Sequence, residues 1–252
     1  MENTIWVALP FIGLTGGFFS GFLGLGGGVI ILPLLTFLGG VPLKLATGTD
    51  LVHVLIAAAT GTLSHSRGGM IDLKAGLVLG LAGVVGGFVG SFLSVPLSIR
   101  VLQSIYLFVV ALAAVLLLIP FQIDFQNYKK GDFNNAAGIA IGFGVGSLAG
   151  LLGVGGGFVI IPLMIYVLKI PLRVTIGPSL LIILITSLGT IWVKFRVGHI
   201  NISITFLVLL GSVPGALFGA YLSRRTQVML LRMVLLIVLV VIFLTVGYKT
   251  VF

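Results

Sequence analysis

The feature that most limits how this chain can fold is a glycine-rich interruption that occurs twice in otherwise apolar sequence. Gly24-Leu25-Gly26-Gly27-Gly28 returns as Gly153-Val154-Gly155-Gly156-Gly157, an offset of 129 positions (24 to 153). The offset then holds without a gap. Pro33 falls on Pro162, Pro42 on Pro171, Lys44 on Arg173, Gly48 on Gly177, Arg67 on Arg196, Gly86 on Gly215 and Gly90 on Gly219. Upstream, Gly13, Gly17 and Gly21 fall on Gly142, Gly146 and Gly150. The chain is a duplication, and both copies break an apolar run at the same place. Three adjacent glycines disfavour helix and free φ, so the helix is expected to stop or turn there. Non-helical backbone at membrane depth must be buried in protein or line a cavity, because its polar groups need partners.

Composition places these breaks in a membrane. Of 252 residues, 59% are hydrophobic and 8% charged, against about 45–50% and about 25% in a soluble domain. Several runs approach the ~20 apolar residues that cross a bilayer as helix. The fold class expected is therefore an all-α polytopic membrane protein with multiple passes. A transmembrane barrel would show short alternating segments with polar lumen positions instead.

The net charge of +9 does not indicate a nucleic-acid partner, since the basic residues are scattered singly or in pairs with no basic stripe. They suit anchoring to membrane lipid at the inner leaflet or attraction of anionic solutes. With no cysteine, and three histidines in separate segments, neither a metal site nor a cofactor is expected. Glu2 and the absence of a basic stretch before Pro10 argue against a cleaved signal peptide.

Three regions follow: a first membrane repeat over 1–121, a polar linker over 122–135, and a second membrane repeat over 136–252. Apolar runs near 45–64, 73–94 and 99–119 recur near 174–194, 201–222 and 227–248. The broken segment Ile5 to Leu38 would span roughly 50 Å as continuous helix, too long for one straight crossing and too short for two. Either it crosses once as a discontinuous helix, making the copies parallel, or two half-helices form a re-entrant hairpin and the copies are inverted.

Charge placement favours inversion. In the hairpin arrangement Arg67, Lys74, Lys129, Lys130, Lys169, Arg173, Arg224 and Arg225 share one side, against Lys44, Arg100, Lys194, Arg196 and Lys249. Inverted repeats with glycine-broken helices are also a transporter pattern. Each copy is thus expected to hold one glycine-broken segment plus three transmembrane helices.

Half-helices starting near Val29 and Phe158 would present unpaired N–H groups and a positive dipole end, which suits an anion. Gly26, Gly27, Gly28, Gly155, Gly156 and Gly157 would let a small oxyanion approach the backbone closely. Thr47, Thr49 and Asp50, with Thr175 and Ser179 in the second copy, are expected either to contact the solute or, for Thr49, Asp50 and Ser179, to cap the helices that follow. Asp50 and His53 share a helix face, and an intramembrane acid with a histidine suits proton coupling. Arg67 and Arg196 stand where they would anchor at headgroups or guide anions, with His65, Lys194 and His199 on the same rims. Asp72 and Asn201 read as N-caps. Gly83, Gly86, Gly87 and Gly90, with Ser212, Gly215, Ala216 and Gly219, read as small-residue packing faces. No residue set suits hydrolytic catalysis, so the chain does not read as an enzyme.

The segments GLGGGVIILP (24–33), ATGTD (46–50) and RGGMID (67–72), with the echoes GVGGGFVIIP (153–162) and RVGHIN (196–201), resemble the sulfite exporter TauE/SafE family of four-transmembrane sulfite-exporter-like permeases. The resemblance covers nearly the whole chain. It implies an inner-membrane secondary transporter moving sulfite, sulfoacetate or another organosulfonate, mostly outward, by alternating access. Where the family pattern has a small hydroxyl after the threonine, the first copy has Asp50 and the second keeps Ser179. An anion channel and a proton-coupled carrier of another small organic anion are the alternatives. Oligomeric state is not written in these motifs.

Overall fold

The computed structural model describes residues 2–67, 71–119, 128–196 and 200–251. They form α1 (Glu2–Leu23), α2 (Gly28–Phe37), α3 (Leu43–Arg67), α4 (Leu73–Ser94) and α5 (Ile99–Leu118). The second copy follows with α6 (Asn135–Leu152), α7 (Gly157–Tyr166), α8 (Leu172–Arg196), α9 (Ile202–Arg225) and α10 (Val228–Val251). Among the described residues seven helices are long and apolar enough to cross a membrane: α1, α4, α5, α6, α8, α9 and α10. Although α3 has the same 25 residues as α8, its Asp50, His53 and His65 lower its hydropathy. The short pair is α2 and α7, ten residues each. Residues 122–127 of the linker, and 68–70 and 197–199 of the arginine motifs, lie outside the described residues.

Side chains start several of these helices as the sequence foretells. Asp72 accepts from Ala75 N at 3.0 Å and Asn201 from Ile204 N at 3.1 Å, so both expected N-caps are present. Asn134 does the same for α6, accepting from Ala136 and Ala137. Asp72 carries more load than Asn201, since its other oxygen takes the Tyr128 hydroxyl at 2.5 Å and Gly131 N–H at 2.7 Å. Burial first, and the Asp72 bond second, push the Tyr128 phenol well above its ordinary value, so it stays a neutral donor.

The broken segments depart from two equal half-helices. A full-length α1 of 22 residues, about 33 Å at ~1.5 Å per residue, is followed by an α2 less than half as long. This α2 folds back along α1. Its Ile31 side chain lies against Gly16, and Leu35 joins Leu9 and Ile12 in one buried cluster.

Glycine seams lock the copies together. A Cβ built on Gly13, Gly17 or Gly21 of α1 would lie 1.9, 2.1 and 2.1 Å from the carbonyl oxygens of Val208, Ser212 and Ala216 of α9. The equivalent atoms on Gly142, Gly146 and Gly150 of α6 meet the carbonyls of Leu79, Gly83 and Gly87 of α4 at 2.3, 2.2 and 2.1 Å. No side chain fits at these six positions, so backbones approach as small-residue faces allow in a membrane, where packing rather than burial holds helices together. The partners rise in step with the glycines, so each seam joins helices running in the same direction.

Other contacts extend the two sets. His53 meets Gly16, and His65 meets Gly21. Thr49 meets Thr205, and Arg224 donates to Ser64 O. Hence α1, α3 and α9 run together. Gly76, Gly80, Gly83 and Gly87 face Leu181, Ile185, Thr186 and Thr190, so α4 and α8 run with α6. Between the sets, Val54 shares a cluster with Ile183 while Gly61 faces Leu180, which makes α3 and α8 opposed. Outside, α5 and α10 close the bundle. Arg232 of α10 donates to the carbonyls of Leu117, Leu118 and Ile119, capping the C-terminal end of α5 as a cation does well.

Candidate functional site: the paired glycine breaks

Each break is built from left-handed glycines. Gly24, Gly26 and Gly27 have φ of 77°, 78° and 82°, and Gly153, Gly155 and Gly156 have 73°, 59° and 68°. An L side chain at any of them would be strained. Gly24 and Gly153 end the long helices, their N–H groups returning to Ser20 O and Ala149 O. Gly27 and Gly156 open the short ones as N-caps without a side-chain cap bond. The first N–H groups of α2 and α7 therefore have no acceptor within their helices.

The two breaks meet. Val54 and Ile183, register mates near the middle of α3 and α8, each contact both Gly26 and Gly155. A Cβ on Gly157 would lie 2.3 Å from the Leu25 carbonyl, so one break rests directly on the other. Leu25, Val29, Val154 and Phe158 are buried there. Irregular backbone is thus enclosed by protein, the condition a membrane imposes.

The expected site residues are not equally available. Asp50 places Oδ2 2.6 Å from the Cβ position of Gly28, at the start of α2, and His53 places Cε1 2.6 Å from that of Gly27. Both are fully buried. Asp50 Oδ1 and His53 Nδ1 are 3.9 Å apart, an ion-pair distance and too long for a hydrogen bond, and neither side chain has a hydrogen-bond partner. The carboxyl sits where the α2 dipole favours negative charge.

Thr47 comes within 3.6 Å of the Gly153 Cβ position, so the first copy's α3 reaches the second copy's break. Ser179 does the converse, donating to Gly24 O at 3.0 Å and to Ile176 O at 2.8 Å. Thr49 receives the Thr205 hydroxyl at 3.4 Å, and Thr175 bonds back to Pro171 O at 3.0 Å.

Two expectations need correction. Thr49, Asp50 and Ser179 cap no helix, because α3 begins at Leu43 and α8 at Leu172, about two turns earlier. His65 is not on a rim but buried against the Gly21 carbonyl at 3.1 Å. Arg67 ends α3, exposed, roughly 20 Å along the helix from His53, so it does not enter the break. Arg196 ends α8 and its side chain lies outside the described residues.

Some polar groups at the breaks had no forecast. Ser20 Oγ and Tyr106 OH are buried without hydrogen-bond partners, and the Tyr106 ring lies edge-on to Phe158, the second residue of α7, at 5.9 Å. A serine and a tyrosine inside apolar runs give no signal alone. Comparison across the 129-residue offset exposes them, since their mates are Ala149 and Leu235. Among the described residues no group of three or more metal-ligating side chains forms. One carboxylate beside one imidazole is short of a metal's usual donor set.

The family model for sulfite exporter TauE/SafE matches residues 9–246. The probable membrane transporter protein YunE of Bacillus subtilis (strain 168) is 29% identical over 98% of this chain and 99% of its own length. YdhB of the same strain, also a probable membrane transporter protein, is 28% identical over 86% and 89%. A probable membrane transporter protein of Methanocaldococcus jannaschii is 26% identical over 93% and 94%. No solved structure matches the chain. With seven membrane-length helices among the described residues and a family model covering almost the whole chain, the chain is a multi-pass membrane protein and belongs to the sulfite exporter TauE/SafE family, a family of transporters and not of enzymes.

Proposed function

We propose that this protein is a secondary transporter that carries a small sulfur-containing anion, such as sulfite, sulfoacetate or another organosulfonate, outward across the inner membrane by alternating access. The observation that carries the reading is the meeting of the two breaks beside the midpoints of α3 and α8, with a buried acid that lacks a hydrogen-bond partner at the start of α2. Gly26 to Gly28 and Gly155 to Gly157 supply amides to the anion. Thr47, Thr49, Thr175 and Ser179 line the approach, and Arg67 and Arg196 guide anions from the two ends.

The copies are inverted in the membrane. Support comes from α1, α3 and α9 running against α4, α6 and α8, with α2 folding back along α1. Parallel copies would instead require α1 and α3 to run in opposite directions. Tight packing between the breaks means that solute enters only when the two sets part, as a rocking carrier requires.

Asp50 and His53 couple the movement to protons. An ionised Asp50 competes with the solute for the start of α2, and protonation removes that competition. One experiment tests both parts. Liposomes holding the purified protein are offered sulfite, sulfate, thiosulfate, sulfoacetate and acetate, with and without a pH gradient. The expected result is saturable, counterflow-stimulated flux of a sulfur oxyanion that accumulates with the gradient. Asp50→Asn should keep counterflow and lose the gradient's effect. Flux without saturation or counterflow would mean a channel, and gradient-driven flux in Asp50→Asn would remove Asp50 from the coupling.

A further inference from the structure

Four buried side chains of the first copy lack hydrogen-bond partners around the breaks: Ser20, Asp50, His53 and Tyr106. Their mates at the 129-residue offset are Ala149, Ser179, Ile182 and Leu235. The second copy therefore builds the same helices and the same break with three apolar residues and one hydroxyl already bonded to Gly24 O. The polar set is not needed for this backbone in the second copy. Leaving such groups unsatisfied is costly, and a buried tyrosine hydroxyl ordinarily finds a partner.

Their positions converge. Asp50 and His53 touch the start of α2 at Gly28 and Gly27. Ser20 is one turn beyond Gly16 on the same face of α1, and the Gly16 carbonyl lies 2.6 Å from the Gly27 Cβ position. Tyr106 comes from α5 to the start of α7, its ring edge-on to Phe158. Since Gly157 rests on Leu25, the two breaks that these groups border are in contact.

We propose that Tyr106 and Ser20 are solute-binding residues, hydroxyl donors from the first copy that complete the oxyanion site at the paired breaks. This rests on the transport reading and adds to it the residues that choose the solute. Two hydroxyls and two helix starts select a group with several acceptor oxygens, a sulfite, sulfonate or carboxylate, over a halide of the same charge.

The test measures KM and maximal rate for sulfite and sulfoacetate in liposomes, with chloride as competitor, for the wild type, Tyr106→Phe, Ser20→Ala and Tyr106→Leu. Two of these substitutions install residues that the second copy already carries at the same register, which guards against loss of fold. Removing a hydroxyl donor to an anion should raise KM about tenfold in each variant. Maximal rate and melting temperature should stay near wild type, and chloride should compete better. A KM unchanged in all three variants of an active protein overturns the proposal and leaves these hydroxyls to bound water. Absence of flux in the wild type overturns the transport reading and this one with it.

Discussion

At the first break, Gly27 and Gly28 are met by an imidazole carbon and a carboxylate oxygen. At the second, Gly156 is met by Val145 and Ala149, and Gly157 by the Leu25 carbonyl and Ile183. The backbones are alike, with left-handed glycines at the same three positions and a ten-residue helix after each. What differs is the chemistry around them. The glycine seams, by contrast, are equal in both copies to within a few tenths of an ångström. The two copies thus share the glycine seams that hold helices together and differ in the polarity of the lining at each break.

The largest expected effect comes from adding a methyl group to each break. In Gly157→Ala the new atom meets backbone, the Leu25 carbonyl at 2.3 Å, whereas in Gly28→Ala it meets the mobile end of Asp50 at 2.6 Å. Gly157→Ala should cost about 3 kcal/mol and Gly28→Ala about 1 kcal/mol in detergent unfolding titrations. Only the second loss should be relieved by adding Asp50→Ser. Equal losses, or no relief, would mean that the breaks are packed alike and that the contrast drawn from their linings is wrong.

The helix caps sharpen the comparison of copies next. Asp72 serves three donors and Asn201 one. Asp72→Ala should cost about 2–3 kcal/mol and Asn201→Ala about 1 kcal/mol, read by the same titration. Tyr128→Phe should reproduce part of the Asp72 loss.

An effect no larger than that of Asn201→Ala belongs to the crossing of α8 onto the first break. Ser179→Ala removes the hydroxyl bond to Gly24 O and should cost about 1 kcal/mol. A stability unchanged in this variant would show that packing of Ile176 on Gly24 suffices to hold the copies together there.

The breaks, the caps Asp72 and Asn201, and the small-residue faces of α4 and α9 were readable from residue types, because glycine runs, N-cap residues and spaced glycines act over one or two turns. Arg232 was not. A lone arginine in an apolar run says nothing of the α5 carbonyls it binds until the fold brings 117–119 beside it. Nor was the burial of His65, which depends on where α1 ends.

By itself the sequence determined that the chain lives in a membrane, that it is doubled, and where each copy's helix must break. Those are consequences of hydropathy and backbone freedom, both local quantities. The tertiary structure alone decided that α2 turns back along α1, that the breaks touch, and that Ser20, Asp50, His53 and Tyr106 are buried without hydrogen-bond partners. These arise from packing between segments far apart in the chain, where a glycine's missing side chain lets another backbone approach and sets which polar group arrives beside it.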